Sequence, residues 1–445
     1  MLRQKTFRHL FIVVLGILLL TGCIGENNEF LGIPLSQSTP IPTTTSIPTM
    51  EVVTPVPEEV LTPETPEEET VNTLLLWVPP FMDPANGSAA GEILQKKLDA
   101  FVTQNPNVEI VIRVKSEEGT ASLIESLTAV SAVAPLELPS LIILDRTDLE
   151  TAAKKGLILP MGDYSTVINE IGWFQYARSL SVIGDSSYGL PLVGEALVMV
   201  VREEEEPIDT DETPNNSDDV EGKIAFWQSD PQAVFLLNDY MAAGGQFVDE
   251  ENQIVLNQAE LITLYEKFNA IQAENLFYEG MAEITSHAEA WEIFKVDEVD
   301  MVVVPSFYPL IDLPGDARVL PMEAVTDFDH TLATGWTVAL ADPLPERRGL
   351  AVALAESLTE VGFMGQWSEE MNLLPVRGAA FDSWQAESLA QRFSVISLSA
   401  TIYPSQEIIR MVSPALQAGL TALFDEGVSP EEAAQIALDV LTVEE

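Results

Sequence analysis

From Thr73 onward the chain alternates short apolar runs with amphipathic stretches, and this alternation limits the possible folds more than any other feature. Residues 73–78 are a short apolar run containing Trp77 and closed by a Pro79-Pro80 pair. Residues 87–104 place Ile93, Leu94, Leu98 and Phe101 at helical spacing and stop at Asn105-Pro106-Asn107, a turn signal. Residues 108–114 read as a second strand, 122–133 as a second helix, and 140–144 as a third strand bounded by Pro139 and Asp145. Strands that are apolar almost throughout are buried on both faces, which requires a parallel sheet covered by helices on each side. The fold class is therefore α/β. In such sheets ligands bind beyond the carboxyl ends of the strands, so the segments 79–83 and 145–148 are expected to border a cleft.

The second half keeps the same character. Residues 193–202 form an apolar strand with a single acid, Glu195, near its start. Strands are expected at 223–227, 300–305 and 334–340, the last carrying Gly335-Trp336, and helices at 230–243, 259–274, 287–294, 346–359 and 361–370. Helices at 405–426 and 430–441 close the chain, the second with Pro430 at its first position after Ser429. Between the strand ending at Arg202 and the one at 223 lies an acidic loop. Asp209 and Asp211 have the spacing of a calcium loop, but Pro214 and Val220 stand where that loop needs Gly and a bidentate Glu. The loop reads as solvated, and no metal site is expected.

The first 22 residues carry Arg3, Lys5 and Arg8 ahead of an apolar stretch from Leu10 to Leu20, the pattern of a secretory signal. The stretch is shorter than the roughly 20 apolar residues a membrane span needs. It ends in Leu20-Thr21-Gly22-Cys23, which resembles the lipobox of bacterial lipoproteins. That resemblance implies an acylated Cys23 as the new N-terminus and a protein held at the cell membrane, facing the extracytoplasmic side. Cys23 is the only cysteine, so no internal disulfide exists. Residues 23–71 are rich in Pro, Thr, Ser and Glu and too poor in large apolar side chains to offset their ordering entropy. They read as an extended tether. At about 3 Å per residue it would reach on the order of 100 Å.

Composition excludes several functions. There are 70 acidic and 21 basic residues, for a net charge of −49. Such a surface repels phosphate backbones, so nucleic acid is not an expected partner. No Gly-x-Ser-x-Gly elbow, His-Glu-x-x-His helix or Gly-rich phosphate loop occurs. Beyond the signal segment only His287 and His330 remain. No enzyme activity and no cofactor are expected. An exported carbohydrate-active enzyme using a carboxylate pair stays as an alternative, because acids are abundant enough to pair by chance.

Several phrases, in order, resemble the family 1 extracellular solute-binding proteins of ABC importers, which include maltose-binding protein. They are Leu138-Pro139-Ser140-Leu141-Ile142-Ile143-Leu144-Asp145; Gly156-Leu157-Ile158-Leu159-Pro160-Met161; Tyr188-Gly189-Leu190-Pro191 with Gly194-Glu195-Ala196-Leu197; Ala290-Trp291-Glu292-Ile293-Phe294 leading to Met301-Val302-Val303-Val304; Thr334-Gly335-Trp336; and Leu374-Pro375-Val376-Arg377. The resemblance spans about Thr73 to Leu441. It implies a two-lobed periplasmic-binding-protein-like fold over 72–442, each lobe a mostly parallel sheet flanked by helices and joined by a hinge. Lobe 1 would comprise about 72–195 and 337–385, lobe 2 about 196–336 and 386–442. The segment after Arg202 departs from the family pattern.

The resemblance further implies a monomer that closes around one small solute and delivers it to permease subunits. The expected solute is a sugar or oligosaccharide, although relatives also carry polyamines, glycerol phosphates and metal ions. The acidic balance argues against phosphates and leaves cationic ligands open. A surface sensory or adhesive lipoprotein with the same fold is a further alternative. A sugar needs aromatic faces for its C–H surfaces and polar side chains for its hydroxyls. Glu195 matches the family position where a crossing-strand carboxylate meets a hydroxyl, with a hinge acid as its competing role. Trp336 lies at the other crossing. Phe307 and Tyr308 follow a strand where relatives place stacking aromatics, while Trp227 and Asp145 end strands of their own. Trp77 and Phe81 border the first loop. Trp291, Trp367 and Trp384 are expected to pack in the interior, and Arg377 to join contacts within the fold.

Overall fold

The computed structural model describes residues 71–203, 222–322 and 330–443. The expected signal segment, Cys23, the tether up to residue 70 and nearly all of the acidic loop lie outside the described residues. The chain opens with β1 (Asn72–Val78), α1 (Ala89–Gln104), β2 (Val108–Val114), α2 (Leu123–Val133) and β3 (Leu141–Asp145). Ser88 and Ser122 cap the two helices, their hydroxyls accepting from the N–H of Gly91 and Glu125. β1 lies between β2 and β3, parallel to both. Alternate residues of these strands face opposite cores. Leu74, Leu76, Leu141 and Ile143 meet Leu94 and Leu98 of α1 in one core. Trp77, Ile142 and Leu144 meet Leu127 and Leu149 in the other. Burial on both faces explains why β1 from Leu74 and β3 up to Leu144 are wholly apolar, while β2 at the sheet edge carries Glu109 and Arg113.

Next come α3 (Arg146–Lys154), α4 (Gln175–Ser181), the short hairpin β4 (Val182–Ile183) and β5 (Ser186–Ser187), and the long β6 (Gly189–Arg202). The second half contains β7 (Ile224–Ala225), α5 (Val234–Ala242), α6 (Gln258–Ala273), α7 (His287–Lys295), β8 (Met301–Pro305), α8 (Phe307–Asp312), β9 (Ala317–Leu320) and β10 (Thr331–Leu340). Helices Pro345–Ser357 and Val361–Glu370 follow, then β11 (Leu374–Pro375), helix Glu387–Ser399, β12 (Ala400–Ile402) and helices Gln406–Thr421 and Pro430–Val443.

Ten strands join in one sheet whose main path is β2-β1-β3-β10-β6-β8-β7. Its outer pairs are parallel, while the two long central strands, β6 and β10, run antiparallel to each other. Both change partners along their length. The first half of β6 pairs β10, and its second half pairs β8 and β9. The end of β10 pairs β3, and its start pairs β12. These two strands carry the sheet from one lobe of the two-lobed fold into the other.

Three local expectations are corrected. The helix placed at 230–243 begins at Val234, because the Asp230 carboxylate takes the N–H groups of Gln232 and Val234 and Ala233 adopts φ 51°. The strand placed at 223–227 is only Ile224–Ala225. The segment 145–148 is not a loop but the first turn of α3, with Asp145 as its cap.

Candidate functional site

The two central strands approach closely where they exchange partners. Gly194 and Gly335 are register neighbours, flanked by the pairs Thr334–Glu195 and Trp336–Val193. A Cβ on Gly335 would stand 2.3 Å from the Val193 carbonyl oxygen, and one on Gly194 would stand 2.3 Å from the Tyr176 hydroxyl. No side chain fits there, so glycine is required at both positions. A register irregularity between Trp336 and Thr337 turns the strand where the indole projects. Beyond Glu195, the Ala196 N–H donates to the buried Ser306 hydroxyl (3.1 Å) and the Ser306 N–H donates to the Ala196 carbonyl (2.7 Å). This exchange fixes β6 to the start of α8.

At this junction is a cavity of about 470 Å³. Four expected residues line it: Phe81, Glu195, Phe307 and Trp336. Phe81 lies on the turn Pro80–Met82 that follows β1. Its ring meets Trp336 edge-on, with centroids 5.3 Å apart, a favoured aromatic geometry. Phe307 begins α8 and is 37 % exposed. Asn86, Ser88, Glu117, Glu370, Met371 and Leu373 also line the cavity, and none of these was singled out from the sequence. Glu117 was within reach of the strand-end rule, since it follows β2 as Phe81 follows β1. Glu370 and Met371 end a helix, and only the tertiary fold brings them here.

Glu195 is partly open to the cavity but walled by protein, and this desolvation pushes its carboxyl up to about 7. Desolvation also raises Glu117, with the Asp145 and Glu118 charges adding to the effect. Asp148 rises to about 7, first from desolvation and then from the charges of Asp145 and Glu125.

The other expected residues are placed differently. Asp145 is solvent-accessible but sits in a concavity that raises its carboxyl by desolvation, while its side chain accepts from the Asp148 N–H at 2.7 Å. It is first of all a helix cap. Tyr308 is half-buried against Trp291, at 6.4 Å, and Phe307, at 5.8 Å. The Glu195 charge adds to the desolvation that raises its hydroxyl. Trp227 is half-buried, donates to the Ser229 hydroxyl at 3.1 Å and meets His287 edge-on at 5.3 Å. Neither Tyr308 nor Trp227 lines the cavity.

Trp77 is corrected outright. It is 1 % exposed, belongs to the core between α2 and α3, and has Lys115 over its ring at 4.7 Å. The sequence places it beside the first loop, but the alternation of β1 turns it to the helix-covered face. Trp291, Trp367 and Trp384 are buried. Arg377 lies over Trp173 and bonds Glu170 at 3.0 Å. Among the described residues no group of three or more His, Cys, Asp or Glu is arranged to hold a metal.

The fold has solved counterparts. Maltose-bound MalE3 of T. maritima superposes with a TM-score of 0.59 at 15 % identity, covering 84 % of this chain and 100 % of that one. The cyclic α-maltosyl-1,6-maltose binding protein of Arthrobacter globiformis gives 0.66 at 14 % identity, with 84 % and 98 % covered. The sugar-binding protein MalE of Xanthomonas citri gives 0.65 at 14 % identity, with the same coverage. At these identities the likeness concerns the fold. No curated protein is similar enough in sequence to count as a match. The family model described as bacterial extracellular solute-binding protein matches residues 84–359, more than half of the sequence. A two-lobed α/β fold, a cavity at the strands joining its lobes and this match together make the chain a member of the bacterial extracellular solute-binding protein family.

Proposed function

We propose that this protein captures a sugar or oligosaccharide by hinge closure at the crossings near Glu195 and Trp336 and delivers it to an ABC importer permease. The lobes meet at those crossings, and the protein binds without chemical conversion. One observation carries the reading: aromatic rings from separate elements, Phe81, Trp336 and Phe307, surround one cavity together with Glu195. Flat apolar faces beside an acceptor suit a ring that has C–H surfaces and hydroxyls. The described ligands of the solved counterparts, maltose and cyclic maltosyl-maltose, support the same class. The lipobox and tether add a membrane anchor through Cys23, which would keep the binder near its permease.

Thermal unfolding of the full chain in detergent, against a panel of mono- and oligosaccharides, tests the ligand class. A one-site ligand at a hundredfold its Kd stabilises the folded state by about 2.7 kcal/mol and raises the midpoint. No shift with any carbohydrate refutes the sugar reading. Cys23→Ala should move the protein from the membrane fraction to the soluble one, and retention in the membrane counts against the lipid anchor.

A further inference from the structure

Resting on the reading of this cavity as the ligand site, we infer that Tyr403 is a specificity-determining residue. Its hydroxyl, acting with the Glu195 carboxyl, hydrogen-bonds the hydroxyl groups of the bound sugar and extends the site past the cavity lining onto the strand that follows the third crossing.

The strand ladders place Tyr403. It stands one residue beyond β12, where its N–H donates to the Ala333 carbonyl at 3.1 Å. β12 and β10 run parallel with Ile402 opposite Ala333, so Tyr403 falls opposite Thr334. Thr334 is in turn the register neighbour of Glu195 on β6. Side chains paired in register share a face of the sheet, and Thr334 and Trp336, two residues apart, share that face as well. One face of the crossing strands therefore carries Tyr403, Thr334, Glu195 and Trp336, each half-buried. The last two line the cavity. Tyr403 extends the same face by two strands.

Its hydroxyl is uncommitted. Among the described residues no group hydrogen-bonds it, yet the oxygen is not closed off from solvent as the unpartnered hydroxyl of Thr337 on the same sheet is. The phenol also keeps its proton. Desolvation raises it first, and the charges of Glu195 and Asp230 raise it further, so it stays a donor across the physiological range. Asp230 does not claim that proton, because its carboxylate accepts from the N–H groups of Gln232 and Val234, both at 3.0 Å. Glu195 has no hydrogen-bonding partner among the described residues either. A donor beside an acceptor matches an alcohol, which both accepts and donates. A site built this way rejects an analogue that lacks the hydroxyl, since its own polar groups are then left unpaired. Trp336 and Phe81 supply the apolar faces beside this polar edge.

The test is calorimetric titration of the full chain in detergent with glucose, maltose, maltotriose and cellobiose, for the wild type and Tyr403→Phe. This substitution keeps the ring and removes only the hydroxyl. The expected result is that the tightest of the four sugars binds Tyr403→Phe roughly three- to tenfold more weakly, the worth of one hydrogen bond. The thermal midpoint without sugar should stay at the wild-type value, because the phenol has no protein hydrogen bond to lose. Wild-type affinity in Tyr403→Phe overturns the inference and leaves the sugar reading standing. Weaker binding accompanied by a lower sugar-free midpoint makes the hydroxyl a structural group and overturns the inference too. Binding of none of the four sugars by the wild type overturns both readings.

Discussion

Two side chains at the crossing strands carry separable predictions. Trp336 presents its indole to the cavity and is braced by Phe81. Trp336→Ala removes the stacking face and should weaken ligand binding by at least about tenfold, or about 1.4 kcal/mol, measured by titration. Unchanged affinity would place the ligand elsewhere. Glu195 has a carboxyl raised from 4.5 to about 7 by desolvation. The folded protein therefore keeps that proton to a higher pH than the unfolded chain does. Its contribution to stability is fully present below the unfolded value and is lost as pH rises through about 7. Without ligand, Glu195→Gln should flatten the fall in thermal midpoint across that window. A variant with the wild-type slope would show that the shift is absent. Four of the eight residues expected at the site line the cavity: Phe81 borders the loop after the first strand, and Glu195, Phe307 and Trp336 stand at positions that the family resemblance marked. Trp77 was misplaced because adjacency to a loop in sequence says nothing about which face of a strand a side chain occupies.

At the scale of elements, the contact between β6 and β10 governs the junction. Gly335 faces the Val193 carbonyl with no room for a methyl group. Gly335→Ala forces the central strands apart and should destabilise the fold by about 1–3 kcal/mol, the range for overpacking, as measured by urea unfolding. A neutral result would show that the strands yield easily. α5 is tied to the same strand by Asn238, which is fully buried and accepts from the Leu332 N–H at 2.9 Å. Asn238→Ala leaves that N–H without a partner in the interior, at a cost of about 1–3 kcal/mol. Full stability in the same urea measurement would show that another acceptor or water takes the proton. Strands β1, β2, β3, β8 and β10 and helices α1, α2, α6 and α7 were readable to within a few residues, since their apolar spacing is strict, whereas the short strands β9, β11 and β12 were not expected. α3, α4 and helix Glu387–Ser399 were not anticipated. α3 has few apolar residues and α4 is seven residues long, while the third alternates apolar and polar residues without a capping side chain at its start.

For the whole molecule, charge is the dominant variable. With 70 acids against 21 bases, self-repulsion opposes the compact state, and salt screens it over a length of about 10 Å at 0.1 M. Moderate salt should therefore raise the thermal midpoint of the ligand-free protein. If the midpoint ignores salt, repulsion among the excess acids is not what limits stability.

The sequence by itself determined the α/β class, the order of strands and helices, and the family to which those ordered phrases belong. Each of these rests on local periodicity or on phrases contiguous in the chain. Only the tertiary structure decided which residues share the cavity. Glu117, Glu195 and Glu370 come from three distant segments, and of these only Glu195 stood out among the 70 acids before the sheet was closed. The face a strand residue presents and the charge left unpaired beside it depend on what the rest of the chain packs against them. No local pattern encodes that, because the neighbours lie up to hundreds of residues away.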